Sequence, residues 1–321
     1  MSLWYGEHVV LIQSTFMSVL FALSIQIPLR FGVFSFAGVG SYGVGAYTTA
    51  ILVGRYDQGV LPALAGGAVA SAIVGYGLAL LMRRLDGLYL GMATVAFDLI
   101  VSVVATNGGS VTGGSAGLYG ILVNLTTLEI ALVTIVILAI LALTERGSVG
   151  RRIEVVREDP ALSSALGIDV GRMRLIAFVV SGALGGLAGG INVAMTTTIS
   201  PSDIDFSLIV LALTMIVVGG ARSWLGAVIG AIVFTWLPSL LAFVGDWKGV
   251  VYGVIVALVA IWVPGGVVGV ATDASRRRSA RLRSRSSPVR AAADPRLRLA
   301  GVAGPSLAAL AADEAQPGPR P

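Results

Sequence analysis

Residues 127–174 read TLEIALVTIVILAILALTERGSVGRRIEVVREDPALSSALGIDVGRMR. From Thr127 to Leu143 the sole charge is Glu129. The run has the length and apolarity of a membrane helix, which needs about 17–25 residues. From residue 144 to 173 the character inverts, with Glu145, Arg146, Arg151, Arg152, Glu154, Arg157, Glu158, Asp159, Asp169 and Arg172 in one connection. Apolar residues then resume and continue to about 196. A long charged bend between two membrane-length apolar runs is a water-facing loop between two spans.

Outward from this stretch the same alternation recurs. The sequence predicts nine spans, at about 9–29, 33–53, 60–82, 88–105, 127–143, 174–196, 206–220, 224–244 and 249–264. The seventh is short and ends in Gly219-Gly220. The seventh and eighth are therefore either two spans or one broken or re-entrant element, which needs cover from protein or a water-filled cavity. Composition agrees: 56% of the 321 residues are hydrophobic and 12% charged, against about 25% charged in soluble proteins. Before the first apolar run stands Glu7 and no Lys or Arg. A secretory signal starts basic, so the first run is expected to remain as a helix.

Basic residues set the orientation. With the N-terminus outside, every Lys and Arg except Arg55 and Lys248 falls on the cytoplasmic side, a strong positive-inside bias. The expected fold is an all-α polytopic membrane bundle of about nine transmembrane helices, N-out and C-in. Residues 1–270 form its transmembrane domain. Residues 271–321, rich in Ser, Arg, Pro and Ala, read as a disordered cytoplasmic tail. The Arg276, Arg277, Arg278, Arg281, Arg283 and Arg285 cluster also suits anionic membrane lipid, at about 1 kcal/mol per basic residue. No aromatic or structured module beside it points to nucleic acid.

Chemistry of its own is not expected from this chain. It has no Cys, which removes disulfides and thiolate-bound metals. His8 is the single histidine, too little for an imidazole metal site. The one lysine, Lys248 in Gly245-Asp246-Trp247-Lys248-Gly249, lacks P-loop spacing. No Ser/His/Asp set or paired catalytic carboxylates stand out. The expectation is no enzyme activity, no cofactor and no metal.

Within the charged bend, Asp159 is placed to cap a helix whose first residue is Pro160. Leu162, Ala165 and Leu166 then share one face, and Gly167 can end the helix in a left-handed turn. Such a helix either lies against headgroups and neighbouring spans or docks in a partner's groove.

This bend resembles the EAA loop of ABC importer permeases, matching at Glu158, Ala161 and Gly167, with Asp159-Pro160 where the family prefers Ala. Residues 32–47 (GVFSFAGVGSYGVGAY), Thr94-Val95-Ala96-Phe97 with Thr112–Leu118, and Ile199-Ser200-Pro201 through Gly219-Gly220 to Trp224-Leu225-Gly226 resemble, in order, the LivM-type permeases for branched-chain amino acids. Val33 and Gly38 stand where that family often has Gln and His. The resemblance implies a transport subunit of a bacterial plasma (inner) membrane for branched-chain or other small amino acids, with urea and short amides as the second choice of substrate. It implies an ATPase-coupling segment at Arg157, Glu158, Asp159, Pro160, Ala161, Leu166 and Gly167. Implied partners are a second, homologous permease, two cytosolic ATP-binding subunits and an extracytoplasmic solute-binding protein. A self-sufficient secondary transporter or channel is the contrasting reading. It needs coupling-ion carboxylates, of which Asp98 is the clearest.

The substrate-path candidates are Ser35, Ser41, Tyr42, Tyr47, Thr94, Asp98 and Asn107. The hydroxyls of the second span either bond nearby backbone or replace water around a zwitterion. Asp98 lies inside the fourth span, where an ionisable group is costly unless paired or hydrated. It either faces a wet path or makes a buried structural hydrogen bond. Asn107 with residues 112–117 forms either a flexible rim that receives substrate or an ordinary turn. Gly182, Gly186 and Gly190, Gly185 and Gly189, and Gly226 and Gly230 recur at four-residue spacing, which brings small residues to one face for helix contact.

Overall fold

The computed structural model describes residues 2–121, 125–221 and 223–241, with isolated positions between 247 and 258. Its helices are α1 (Ser2–Arg30), α2 (Ala37–Tyr56), α3 (Val60–Leu81), α4 (Gly87–Asn107), α5 (Thr127–Arg146), α6 (Ser148–Glu158), α7 (Pro160–Ala165), α8 (Val170–Thr196), α9 (Phe206–Gly219) and α10 (Trp224–Leu240). Among the described residues, six segments are long and apolar enough to cross a membrane: His8–Arg30, Val60–Leu81, Gly87–Asn107, Thr127–Glu145, Val170–Thr196 and Pro201–Gly219. Helix α2 occupies the second expected span but is diluted by Gly, Ser, Thr and Tyr, and α10, at 17 residues, is apolar but below membrane-crossing length. The ninth expected span falls almost wholly outside the described residues, and the 271–321 tail entirely so.

Helix α8 is the axis of the bundle, with α1, α2 and α3 around it. Its glycine stripes serve different neighbours. A Cβ at Gly182 or Gly186 would strike Ser71 of α3, and one at Gly185 or Gly189 would strike the α2 backbone at Gly38 and Tyr42. From the α2 side, a Cβ at Gly45 would collide with the backbone of Gly186. Serines tie the same crossing: Ser181 Oγ donates to the Ser24 carbonyl at 2.5 Å, and Ser71 Oγ to the Ser41 carbonyl at 2.9 Å. Helices this close gain dispersion contacts and polar bonds together.

The second helix starts later than its hydrophobic pattern suggests. Gly32 takes a left-handed turn (φ +77°), and the Val33 N–H donates to the Pro28 carbonyl at 2.9 Å. Residues 33–36 then run without helical structure, and α2 begins at Ala37. Its first turn lies beside Ser24, since a Cβ at Gly38 would stand 2.5 Å from Ser24 Oγ. Ser24 precedes the end of α1 by about 9 Å along the axis. The N-terminus of α2 is thus sunk inside the bundle.

The seventh and eighth spans are two helices forming an antiparallel hairpin. A Cβ at Gly219 would strike the Gly226 carbonyl, and one at Gly230 the Met215 carbonyl. With 14 and 17 residues they measure about 21 and 25 Å, and residues 201–205 ahead of α9 lengthen its apolar segment to 19 residues. Gln26 Nε2 donates to the Ala221 carbonyl at 3.3 Å, and Trp236 Nε1 to Thr15 Oγ1 at 3.0 Å. These bonds lay α10 antiparallel along α1.

At the opposite end from Gly32, residues 109–113 form turns. A 3-10 turn (Gly114–Ala116) and strand β1 (Leu118–Tyr119) follow. Strand β1 pairs antiparallel with β2 (Thr198–Ile199), Leu118 opposite Ile199 and Tyr119 opposite Thr198. Thr112 Oγ1 donates to the Ala105 carbonyl at 2.6 Å, and the Ile121 N–H to the Thr197 carbonyl at 3.1 Å. The loop is fastened to the connection between α8 and α9.

Candidate functional site

The first candidate region is the sunken start of α2. The first amides of a helix lack intrahelical acceptors and carry partial positive charge. Away from water they need partners, and α4 supplies them. The Phe36 N–H donates to Thr94 Oγ1 at 3.0 Å, and the Gly40 N–H to Asp98 Oδ1 at 2.7 Å. Thr94 and Asp98 are four residues apart, so they share one face of α4. Ser35 Oγ accepts from the Ala37 N–H at 3.2 Å. Helix α2 is therefore capped by side chains of another helix. Gly40 is required at the contact, because a Cβ there would stand 2.7 Å from Asp98 Oδ1 and 2.5 Å from the Phe97 ring.

Asp98 is 2% exposed, with its Oδ1 engaged by the Gly40 amide. Its Oδ2 has no hydrogen-bond partner among the described residues, and the same holds for Ser41 Oγ and the Tyr47 hydroxyl. Ser35, Thr94 and Asp98 come together at the α2 start. Ser41 lies further along, where its Cβ faces Gly185. Tyr42 stacks edge-on against Phe21 at 5.3 Å. Asn107 stands apart, exposed at the end of α4, its amide donating to the Val103 carbonyl at 2.8 Å. Apart from Asn107, the path candidates are buried in the chain's own helix contacts. Gly40, the residue that lets Asp98 approach, was not singled out in the sequence, because its amide partner lies 58 residues away. At Gly38 the neighbouring Ser24 and Ile25 leave no room for the longer residue frequent in LivM-type permeases.

The second region is the charged bend. Helix α7 has the expected ends. Asp159 accepts from the Ala161 and Leu162 amides, both at 2.9 Å, with Pro160 as the first helical residue. Gly167 is left-handed at φ +79°. Leu166 closes the helix as its C-cap. The side chain turned inward is Ser163, while Leu162 and Leu166 are 53% and 65% exposed. The apolar face therefore does not lie on the neighbouring spans among the described residues. Ahead of it, α6 was hidden by its charges. Gly150, Ile153 and Val156 recur every three residues and are buried, whereas Arg151, Arg152 and Glu158 are exposed.

The bend is joined to the bundle at the corner between α1 and α2. Arg30 pairs with Glu145 at 2.5 Å. A Cβ at Gly32 would come within 3.2 Å of Arg157 Cα. Arg30, Gly150, Ile153, Glu154 and Arg157 line a small pocket at this corner. Arg174 of α8 pairs with Asp86 before α4, also at 2.5 Å.

Residues 9–260 match the family described as "Branched-chain amino acid transport system / permease component". The chain belongs to this family. It is 27% identical over 263 residues to the high-affinity branched-chain amino acid transport system permease protein LivM of Salmonella typhimurium, covering 71% of this chain and 62% of that relative. LivM of Escherichia coli K12 matches with the same identity and coverage. LivH of Escherichia coli K12 is 30% identical over 151 residues, 46% of this chain and 49% of LivH. The chain thus spans under two thirds of the length of the LivM relatives. No solved structure matches the chain. As a member of this permease family with six membrane-length apolar segments among the described residues, it is a multi-pass protein of the inner membrane.

Proposed function

We propose that this permease is the membrane subunit of an ATP-driven importer for branched-chain or other small amino acids. It takes its energy from ATPase subunits in trans and its substrate from an extracytoplasmic binding protein. The observation that carries the reading is α7. A short, well-capped helix in an Arg-rich bend turns Leu162 and Leu166 away from the bundle, with Glu158, Asp159 and Pro160 at its start. Exposed leucines on a capped helix suit the groove of a partner protein. The orientation is N-out, because that alone places this bend with the ATPases. Similarity to both LivM and LivH supports pairing with a second, related permease. ATP binding shifts α7, and the helices joined to it convey the shift to the path between the two permeases, an alternation biased by differential contacts in two states.

Reconstitution tests this directly. The chain in proteoliposomes with its ATPase subunits, second permease and binding protein is expected to take up labelled leucine only when ATP is supplied. Uptake by the chain alone, driven by a proton or sodium gradient, would replace this reading with a secondary transporter.

A further inference from the structure

We propose that Gly32 is a positioning residue through which the α6–α7 arm and the sunken start of α2 move as one body. The inference rests on the proposed function, since it concerns how a push on α7 reaches the bundle.

Three ties meet at the α1–α2 corner. At the α5–α6 elbow, a Cβ at Gly150 would strike the Glu145 carbonyl, so the two helices turn without slack. Glu145 in turn holds Arg30, with side chains only 16% and 24% exposed. Third, the backbone of Arg157, in the last turn of α6, lies on Gly32, with Arg157 Cα at 3.2 Å and Cβ at 3.8 Å from the position a Cβ at 32 would take. Glycine meets both demands at 32 without strain, a left-handed backbone and a neighbour this near, whereas a side chain there makes Arg157 give by a few tenths of an ångström.

From Gly32 the chain runs directly to the α2 start. The link is short and anchored at both ends, by the Val33 N–H on the Pro28 carbonyl and the Phe36 N–H on Thr94. A displacement of Arg157 is therefore delivered to the Thr94 and Asp98 bonds. The other route from α7 leads into α8, whose glycine contacts with α2 and α3 resist sliding. The movable part is the 33–36 link, held at its α2 end by the Phe36 N–H on Thr94 Oγ1, a bond that can break and re-form.

The chain has no cysteine, so a G32C/R157C pair introduces its only thiols. The 3.8 Å separation equals the usual disulfide Cβ–Cβ distance of about 3.8 Å. The pair is made in the chain assembled with its ATPase subunits, second permease and binding protein in proteoliposomes. The disulfide is expected to form, and the oxidised complex to keep the uptake rate of its reduced form. Failure to cross-link, or uptake that stops on oxidation and returns with reductant, would show that the contact is absent or opens during the cycle, and would overturn the proposal. In parallel, Gly32→Val is expected to lower the ratio of uptake to ATP hydrolysis by about tenfold, within the usual range of coupling free energies. If Val blocks insertion, the milder Gly32→Ala carries the same measurement. An unchanged ratio in the inserted variant also overturns the proposal. If the unaltered chain fails to retain ATPase subunits on purification, the functional reading is what fails, and cross-linking still reports the contact itself.

Discussion

Glycine serves opposite ends in the α2–α3–α8 core and in the α5–α6–α7 arm. In the core it removes side chains so that helix backbones touch, as at Gly45 against Gly186 and at Gly189 against Tyr42. In the arm it changes direction: Gly150 tightens the elbow after α5, and Gly167 ends α7 in a left-handed turn with no atom near its missing side chain. The core is fixed by surfaces that leave no room, and the arm by caps and a few point contacts. A push applied to the arm should move the arm and its attachment before it deforms the core.

The sharpest way to break that contrast is to enlarge a core glycine. Gly186→Leu drives a side chain into Ser71 and the Gly67 carbonyl. It is expected to cost about 3 kcal/mol, at the upper end of overpacking penalties. The check is the yield of monodisperse protein in mild detergent, and a normal yield would show that the core can yield. Next in size is Asp98→Ala, which leaves the Gly40 amide without its buried acceptor at about 2 kcal/mol. Asp98→Asn keeps an acceptor oxygen and is expected to be milder. Thermal unfolding of the two variants in detergent separates them, and equal losses would remove the capping role. The smallest effect belongs to the arm. Asp159→Ala removes the α7 cap at about 1 kcal/mol. Hydrogen exchange is expected to rise at residues 160–166 while α8 stays protected, with weaker ATPase co-purification. Rising exchange in α8 as well would mean that arm and core are not separable.

The helices of this fold were largely readable from long apolar runs, and the ends of α7 from Asp159, Pro160 and Gly167, because those signals are local. What escaped the sequence was relational. The hydrophobic run over 33–53 does not tell that Gly32 turns and that the helix waits until Ala37. The charges of α6 mask Gly150, Ile153 and Val156, whose burial depends on the helices they meet. Asp98 was visible as an anomaly, an acid inside a span. Its partner, the Gly40 amide, has no sequence signature at all. The glycine spacing in α8 announced close contact but not that one stripe faces α3 and the other α2. The hairpin of α9 and α10 was one of two alternatives until its closing contacts, Gly219 on Gly226 and Met215 on Gly230, were located.

The borrowed cap of α2 also bears on how the protein is made. The acceptors for the Phe36 and Gly40 amides are each 58 residues further along the chain. At roughly 5–20 residues per second of synthesis, they emerge some 3–12 s after those amides do, and a bare amide in hydrocarbon costs several kcal/mol. The nascent α2 cannot pass into lipid alone at its final depth. It must wait at the insertion machinery or near the interface until α4 arrives, so the two helices enter as a pair.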